Sequence, residues 1–228
     1  MSSDEFGTIA ILGGTGDQGL GLALRLAAAG CHLVIGSRDK ARAEQAASDI
    51  AKAVPDARVE GRGNREAAAG SEIVVLSVPF EHTVSTIASV REGLEAGQIV
   101  VSMVVPLATA IGDKPTRTVR VQQGSAAELV ASLVPEGVEV VGALQNVSAH
   151  RLQDLDKDMD CDVVVCGARE PRTRIARLCE LIPGLRGVNG GVLSNARIVE
   201  DLTALIIGLN IRYKVPGGIG VRFPGIPK

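Results

Sequence analysis

The residues with the clearest chemical meaning form a glycine-rich segment near the N-terminus. An apolar run, Ile9 to Leu12, precedes it, and a helical pattern of Leu and Ala follows. Gly14, Gly16 and Gly19 fit the spacing G-x-G-x-x-G, which between a strand and a helix is typical of dinucleotide binding. The spacing predicts that Gly14 permits the turn, Gly16 lets a pyrophosphate approach the backbone, and Gly19 lets helix and strand pack closely. The free N–H groups at the start of the helix would then face the phosphates. The less specific alternative is a glycine turn in another kind of α/β protein.

The end of the second predicted strand, Leu33 to Gly36, decides between NAD and NADP. Asp39 lies about 20 residues after the last glycine, where an acid that binds the ribose 2′-hydroxyl of NAD is expected. Alternatively, Asp39 begins the next helix, and Ser37 with Arg38 and Arg42 accommodates the 2′-phosphate of NADP. Arginine forms bidentate contacts with phosphate oxygens. We favour NADP, because Ser37 already occupies the usual place of the acid.

The composition indicates a large aliphatic core and excludes several classes of protein. The chain has 228 residues, 46% of them hydrophobic and only 2% aromatic, with a formal net charge of -2. This charge favours neither nucleic acid nor an acidic membrane surface as a partner. The first residues do not follow a signal-peptide pattern, and no apolar run reaches the roughly 18 residues of a membrane span. The four cysteines match no zinc or disulfide spacing, so we expect buried thiols in a reducing cytoplasm.

The order of predicted elements indicates an α/β fold with a Rossmann-type doubly wound parallel sheet. The continuous β-branched run within Glu72–Ser77 is typical of a buried parallel strand, and Gln98–Met103 and Val138–Leu144 are predicted as further strands. Ligands bind outside the carboxyl ends of such strands, so the loops that follow them should flank a cofactor. The pattern changes near residue 150, which predicts a dinucleotide-binding domain over 1–150 and a small C-terminal α/β domain over 151–228.

The C-terminal part contains a strand, Cys161 to Cys166, and a long helix, Ser194 to about Tyr213. Ile207 and Ile211 broaden the apolar stripe of this helix, so we expect it to be buried on more than one side and to contribute to a dimer contact. The stripe follows the 3.6-residue period and consists of Ile198, Val199, Leu202, Leu205, Ile206 and Leu209.

Seven segments between Thr8 and Phe223 form a more specific set than the glycine motif alone. They are GGTGDQG, IGSR, VPFEH, VVSMVVP, DVVVCG, LSNARIVEDLTALI and GGIGVRF. Together they resemble the family of F-420-dependent NADP reductases, where F-420 is the 8-hydroxy-5-deazaflavin coenzyme. The resemblance implies an oxidoreductase that transfers a hydride reversibly between NADP(H) and F-420, and we expect a homodimer.

The resemblance also implies roles for individual residues. Thr15 to Gln18 would hold the pyrophosphate, and Asn146 to Ser148 with Gly218 and Ile219 would approach the deazaflavin. The cofactor-binding residues are Gly14, Thr15, Gly16, Asp17, Gln18, Ser37, Arg38, Arg42, Phe80, Val105, Ala149 and Ile219. The residues of the deazaflavin side are Asn146, Val147, Ser148 and Gly218. Two features depart from the family's pattern: Gln145 stands where His is common, and the polar segment Lys114–Gly124 is longer.

No catalytic residue and no metal ligand are predicted. Hydride transfer between two rings needs no nucleophile, because the cofactors supply the chemistry and the protein orients them and excludes water. Such transfer requires the reacting carbons to lie about 3–3.5 Å apart. His82 could serve as a base, but we expect it in the first turn of the helix that follows Glu81.

Two other functions stay open. The first is an NADP-dependent reductase of a small carbonyl, imine or hydroxy acid, since such enzymes begin with a similar glycine turn. They generally need a proton-transfer residue and a large helical C-terminal domain, whereas only residues 152–228 follow Arg151. The second is a non-catalytic NADP-binding regulator, which would bind NADPH tightly without turnover of an acceptor.

Overall fold

The computed structural model describes residues 2–226, in which eight strands and eight α-helices alternate. The strands are β1 (Thr8–Leu12), β2 (His32–Ser37), β3 (Arg58–Gly63), β4 (Ile73–Leu76), β5 (Ile99–Ser102), β6 (Glu139–Gly142), β7 (Cys161–Val165) and β8 (Leu185–Asn189). The helices are α1 (Asp17–Ala28), α2 (Lys40–Ala53), α3 (Asn64–Ala68), α4 (Thr83–Val90), α5 (Ala126–Leu133), α6 (Ala149–Gln153), α7 (Arg169–Glu180) and α8 (Ala196–Tyr213).

The first six strands form one parallel sheet in the order β3-β2-β1-β4-β5-β6. This is the strand order of a Rossmann fold, so the predicted fold class is confirmed. Strand order reverses between β1 and β4, and the register pairs Leu12 with both Gly36 and Leu76. Three strands therefore end at one level, which leaves a crevice beyond their carboxyl ends, where ligands of such sheets bind.

The sheet is covered on both faces, which explains the continuous apolar runs in its sequence. One cluster of buried side chains packs β1 and β2 against α1, α2 and α7, and a second packs β4 and β5 against α3, α4 and α5. The cores are almost wholly aliphatic, with Phe6 as a fully buried aromatic residue. All four cysteines are buried with free thiols, as predicted.

The C-terminal part extends the fold with a second, two-stranded parallel sheet of β7 and β8. An antiparallel bridge joins it to β6, with two 2.9 Å hydrogen bonds between Gly142 and Cys166. Strand β8 is absent from the sequence prediction, because its sequence LRGVN has little apolar pattern. Packing on α7 accounts for it: a Cβ atom at Gly187 would lie 2.7 Å from Ala176. The predicted division at residue 150 falls within α6, and one core cluster contains side chains from both parts.

Helix α8 is only partly buried. Val199 and Ile206 of the predicted apolar stripe pack inward, and Ala204 is buried beside them. Within the single chain, Ile198 and Leu205 are 64% and 57% exposed, so the chain alone does not bury the helix on more than one side, and burial by a second copy stays a prediction. Ile211 is likewise exposed. The chain covers one side of α8, whereas the apolar residues of its sequence extend around most of the helix.

Candidate functional site

The turn after β1 uses its glycines in a slightly different way from the sequence prediction. Gly13, not Gly14, has the left-handed backbone conformation, with φ of +80°. At Gly14 a Cβ atom would lie 2.9 Å from the carbonyl oxygen of Ile11, so this position requires small size rather than a special turn angle. A Cβ atom at Gly19 would lie 2.7 Å from the carbonyl oxygen of Gly13, so helix and turn approach closely there. At Gly16 the nearest atom would be 3.5 Å away, which leaves room beside the backbone.

The start of helix α1 is built to face an anion. Its first residue is Asp17, and Gly16 at the N-cap supplies no side chain to bond the first N–H groups. A helix N-terminus combines such free donors with the positive end of the helix dipole. The turn therefore presents backbone donors and open space on the same side, as a pyrophosphate requires.

The end of β2 distinguishes between the two interpretations of Asp39. The Asp39 carboxylate accepts hydrogen bonds from the backbone N–H groups of Ala41 and Arg42, at 3.0 and 3.4 Å. It is thus the N-cap of α2 and serves its own helix. Arg38 and Arg42 are exposed, and within residues 2–226 neither forms an ion pair. Two unpaired guanidinium groups beside the buried Ser37 favour a ligand with a dianionic group at this position.

These residues line a first cavity of about 460 Å³. It brings together Thr15, Gly16, Ser37, Arg38 and Arg42, all of which were predicted from the sequence to bind the cofactor. Sequence reasoning missed Asn64 and Thr86 and assigned no role here to His82; all three also line this cavity. Asn64 follows directly after β3, so its place at the end of a strand was the signal that could have identified it.

A second cavity of about 480 Å³ continues from the first, and the two share Gly16, Ser77, Val78 and Pro79. It brings together predicted residues from distant parts of the sequence, namely Asp17, Gln18, Val105, Asn146, Val147, Ser148, Ala149 and Ile219. Residues that the sequence did not indicate also line it, namely Met103, Leu107, Thr203, Ile206, Ile207 and Asn210. The helical period of α8 showed an apolar stripe but not which side faces a cavity.

Hydrogen bonds hold the walls of the second cavity in place. The Gln18 amide Nε2 donates to the carbonyl oxygen of Val147 over 2.9 Å, which connects the glycine turn to the loop after β6. The Ser148 hydroxyl donates to the carbonyl oxygen of Gly217 over 2.7 Å. The backbone N–H of Ile219 donates to Asn210 Oδ1 over 2.9 Å. The loop after β6, helix α8 and the C-terminal segment therefore form one connected wall.

Three predicted residues do not line either cavity. Gly14 lies in the turn, and Phe80 packs against the core formed by α3, α4 and α5. Gly218 has φ of +88°, and a Cβ atom there would lie 2.9 Å from Ser148 Oγ. Gly218 thus permits the C-terminal segment to pass close behind the cavity wall. The predicted contacts of these three residues with a cofactor stay predictions.

The two departures from the family pattern lie at or next to the second cavity. Gln145 lines it and is 5% exposed, and its amide nitrogen and oxygen have no hydrogen-bond partner within the described part of the chain. The polar segment after Leu107 packs against α8. There the Thr118 hydroxyl donates to the Asp201 carboxylate over 2.5 Å, and Thr116 lies next to Gly208.

Two buried carboxylates support the framework around the cavities. Glu200 accepts hydrogen bonds from the N–H groups of Ala126 and Ala127 at the start of α5, and burial raises its pKa to about 7. Asp162 is also buried, and burial alone would raise its pKa. Hydrogen bonds from Arg186, the N–H of Phe223 and Arg222 outweigh that effect and lower its pKa to about 2.

Residues 2–226 contain neither a candidate membrane-spanning helix nor a candidate metal-binding cluster. None of their helices has the length and apolar character needed to cross a membrane. Nor do these residues contain a group of three His, Cys, Asp or Glu side chains that could hold a metal ion.

Comparison with known proteins agrees with this geometry. The family described as NADP oxidoreductase, coenzyme F-420-dependent, matches residues 8–106. The F-420-dependent NADP reductase of Methanocaldococcus jannaschii is 47% identical over 223 residues, which cover 96% of this chain and 98% of that protein. The enzyme of the same name from Methanothermobacter thermautotrophicus is 41% identical over 224 residues, or 96% of each chain. A solved structure from Arthrobacter sp. FB24, provisionally assigned as an F-420-dependent NADP reductase, aligns with a TM-score of 0.77 and 26% identity. That alignment covers 94% of this chain and 99% of the other.

The sheet order, the glycine turn and the paired cavities define a dinucleotide-binding protein of the Rossmann class. The similarity to these two enzymes extends over 96% of the chain. The chain belongs to the family of F-420-dependent NADP reductases.

Proposed function

We propose that this protein catalyses reversible hydride transfer between NADP(H) and F-420. The observation that carries the proposal is the pair of continuous cavities, which the glycine turn separates into a polar and a mostly apolar half. The polar half offers two arginines that form no ion pair within residues 2–226, and Gly16, the N-cap of α1, lies where the two halves meet. The apolar half is large enough for a ring system and opens directly beside the turn.

NADP(H) is proposed to occupy the first cavity and to reach into the second. The N–H groups of residues 15–18 would bind the pyrophosphate, and Ser37, Arg38 and Arg42 would bind the 2′-phosphate. This assignment is supported by the position of Gly16 on the walls of both cavities and by the use of Asp39 as a helix cap. The nicotinamide would then lie beside Val105, Ala149 and Ile219, which line the second cavity.

F-420 is proposed to occupy the remainder of the second cavity, against Asn146, Val147 and Ser148. When bound, the two cofactors supply the hydride chemistry themselves. The chain contributes orientation and the exclusion of water, through Val105, Val147 and the apolar residues of α8. Residues 151–228 provide the α8 wall and Ile219, so this C-terminal part is proposed to complete the deazaflavin site.

The proposal is tested by mixing the purified protein with NADPH and oxidised F-420 and following the loss of deazaflavin absorbance. We expect rapid loss with NADPH and little with NADH. A parallel titration of NADPH fluorescence measures cofactor binding separately. Confirmed NADPH binding without loss of deazaflavin absorbance would contradict the proposed reaction and direct attention to Gln145 and to small carbonyl or imine acceptors.

We further propose that the protein is a cytoplasmic homodimer, in which the outer side of α8 is covered by a second copy. Ile198, Leu205 and Tyr213 are more than half exposed on this helix, and exposed apolar patches commonly mark protein interfaces. The four buried free thiols fit a reducing compartment.

Sedimentation of the wild type should give a dimer. Leu205→Glu should give a monomer, whereas Val84→Glu, at another exposed apolar position on α4, should remain dimeric. A wild-type monomer, or a dimeric Leu205→Glu variant, would contradict this interface.

A further inference from the structure

One carboxylate, Asp162, connects the end of the chain to the wall of the second cavity. Its side chain is fully buried, and both oxygens accept two hydrogen bonds each. One oxygen receives Arg186 Nε at 2.9 Å and Arg222 Nη1 at 2.7 Å. The other receives Arg186 Nη2 at 2.5 Å and the backbone N–H of Phe223 at 2.7 Å. A buried carboxylate with two guanidinium groups and a backbone donor is fully satisfied as an anion.

The backbone of Asp162 forms two more hydrogen bonds, one with the C-terminal segment and one with the loop after β6. Its N–H donates to the carbonyl oxygen of Val221 over 2.6 Å, so the C-terminal segment lies along β7. Its carbonyl oxygen accepts from Asn146 Nδ2 over 2.8 Å. Asn146 also lies close to Cys161 Sγ, at 3.4 Å. One residue thus holds both the loop after β6 and the segment that ends the chain.

The C-terminal segment is held by hydrogen bonds to other elements rather than by regular secondary structure. It forms no helix or strand over residues 214–226. A Cβ atom at Gly220 would lie 2.3 Å from the carbonyl oxygen of Asp160, so the segment must approach β7 closely. Arg222 strengthens this approach with further hydrogen bonds to Asp160 Oδ1 and to the carbonyl oxygen of Gly184, at 2.9 and 2.8 Å. Ile219, three residues before Arg222, lines the second cavity.

We infer that Asp162 is a positioning residue, and that its contacts with Arg222 and Phe223 fix the depth at which Ile219 and Asn146 stand in the second cavity. The inference rests on the proposed function, since it concerns the ring site for F-420. Loss of the contact would let the C-terminal segment move away from β7 and widen the ring site. The first cavity lies at the other end of the crevice, at the end of β2, so binding of the NADP adenosine half would be unaffected.

Arg222→Met tests the inference, because it removes the guanidinium group and keeps most of the apolar part of the side chain. The Arg222 side chain is 38% exposed, so we expect the substitution to leave the core intact. Arg177→Met is the control, because Arg177 is 47% exposed and forms its ion pair with Glu5, away from both cavities. In Arg222→Met we expect the KM for F-420 to rise about tenfold or more and kcat to fall. We expect the Kd for NADPH, measured by fluorescence, to change less than about twofold. Arg222→Lys should restore part of the loss, and the control should behave as wild type.

Hydrogen exchange supplies a readout that does not depend on turnover. Peptides that cover residues 143–149 and 217–223 should exchange faster in Arg222→Met than in wild type or in Arg177→Met. Unchanged exchange together with unchanged kinetics would overturn the inference. An equal loss of NADPH and F-420 binding would also overturn it, because that outcome indicates general destabilisation. A wild-type enzyme that binds NADPH but does not reduce F-420 would refute the proposed function instead. The hydrogen-exchange result would then still decide whether Asp162 anchors the C-terminal segment. Asp162→Asn gives a second variant, in which faster exchange of the same two peptides is expected.

Discussion

Replacing Arg38 with Ala tests the choice between NADP and NAD most directly. Arg38 lines the first cavity, is exposed, and has no ion-pair partner in residues 2–226, so its removal leaves no buried charge behind. A hydrogen bond to a charged group contributes about 1.5–3 kcal/mol. Since about 1.4 kcal/mol corresponds to tenfold in affinity, the loss of Arg38 should raise the KM for NADPH by roughly one to two orders of magnitude. The KM for NADH should change little, because NADH lacks the 2′-phosphate.

The assay measures steady-state reduction of F-420 at varied NADPH and varied NADH. Arg65→Ala is the control, because Arg65 is an exposed arginine whose ion pair with Glu92 lies outside both cavities. The alternative assignment is tested by Asp39→Ala. As an N-cap, Asp39 should contribute about 0.5–2 kcal/mol to stability and affect both cofactors alike. An unchanged ratio of NADPH to NADH activity in Arg38→Ala would refute the 2′-phosphate assignment. A selective loss of NADH activity in Asp39→Ala would restore the NAD interpretation.

Two further substitutions test other parts of the structure. Ile219→Trp should fill the second cavity and block F-420 turnover, while NADPH fluorescence still shows binding of the adenosine half; normal turnover would remove Ile219 from the site. Glu200→Gln tests the buried cap of α5. Because the pKa of Glu200 is raised from 4.5 to about 7 in the folded protein, its protonated form contributes stability fully below pH 4.5, and this is lost as the pH rises towards 7. Wild type should therefore lose up to roughly 3 kcal/mol of unfolding free energy over this interval through Glu200 alone. Urea unfolding of Glu200→Gln should show a flatter pH dependence, and parallel profiles for the two proteins would contradict the assignment.

Local chemistry made much of the fold and of the first cavity predictable. The strands of the main sheet are buried on both faces, so their sequences read as continuous apolar runs that a single pass along the chain detects. The turn after β1 and the start of α2 are set by neighbours in sequence, Gly16 with Asp17 and Asp39 with Ala41. One local detail differed: the left-handed conformation lies at Gly13, which precedes the G-x-G-x-x-G spacing, rather than at Gly14.

The second cavity depends on contacts between residues far apart in sequence. Helix α8 shows how the prediction failed: a 3.6-residue period marks apolar positions, but only the packed structure shows that Ile206 and Ile207 line a cavity while Leu205 faces outward. Strand β8 escaped detection because packing on α7, not its own sequence, holds it in place.

By itself, the sequence determined the class of fold, the dinucleotide turn and the basic pair Arg38 and Arg42, since each depends on residues within a few positions of one another. Only the tertiary structure decided which side chains surround the second cavity, and that Asp162 is bonded to Arg222, 60 residues further along. The physical reason is that hydrogen bonding and burial depend on distance in space. A sequence pattern shows only those interactions that form between residues close together in the chain.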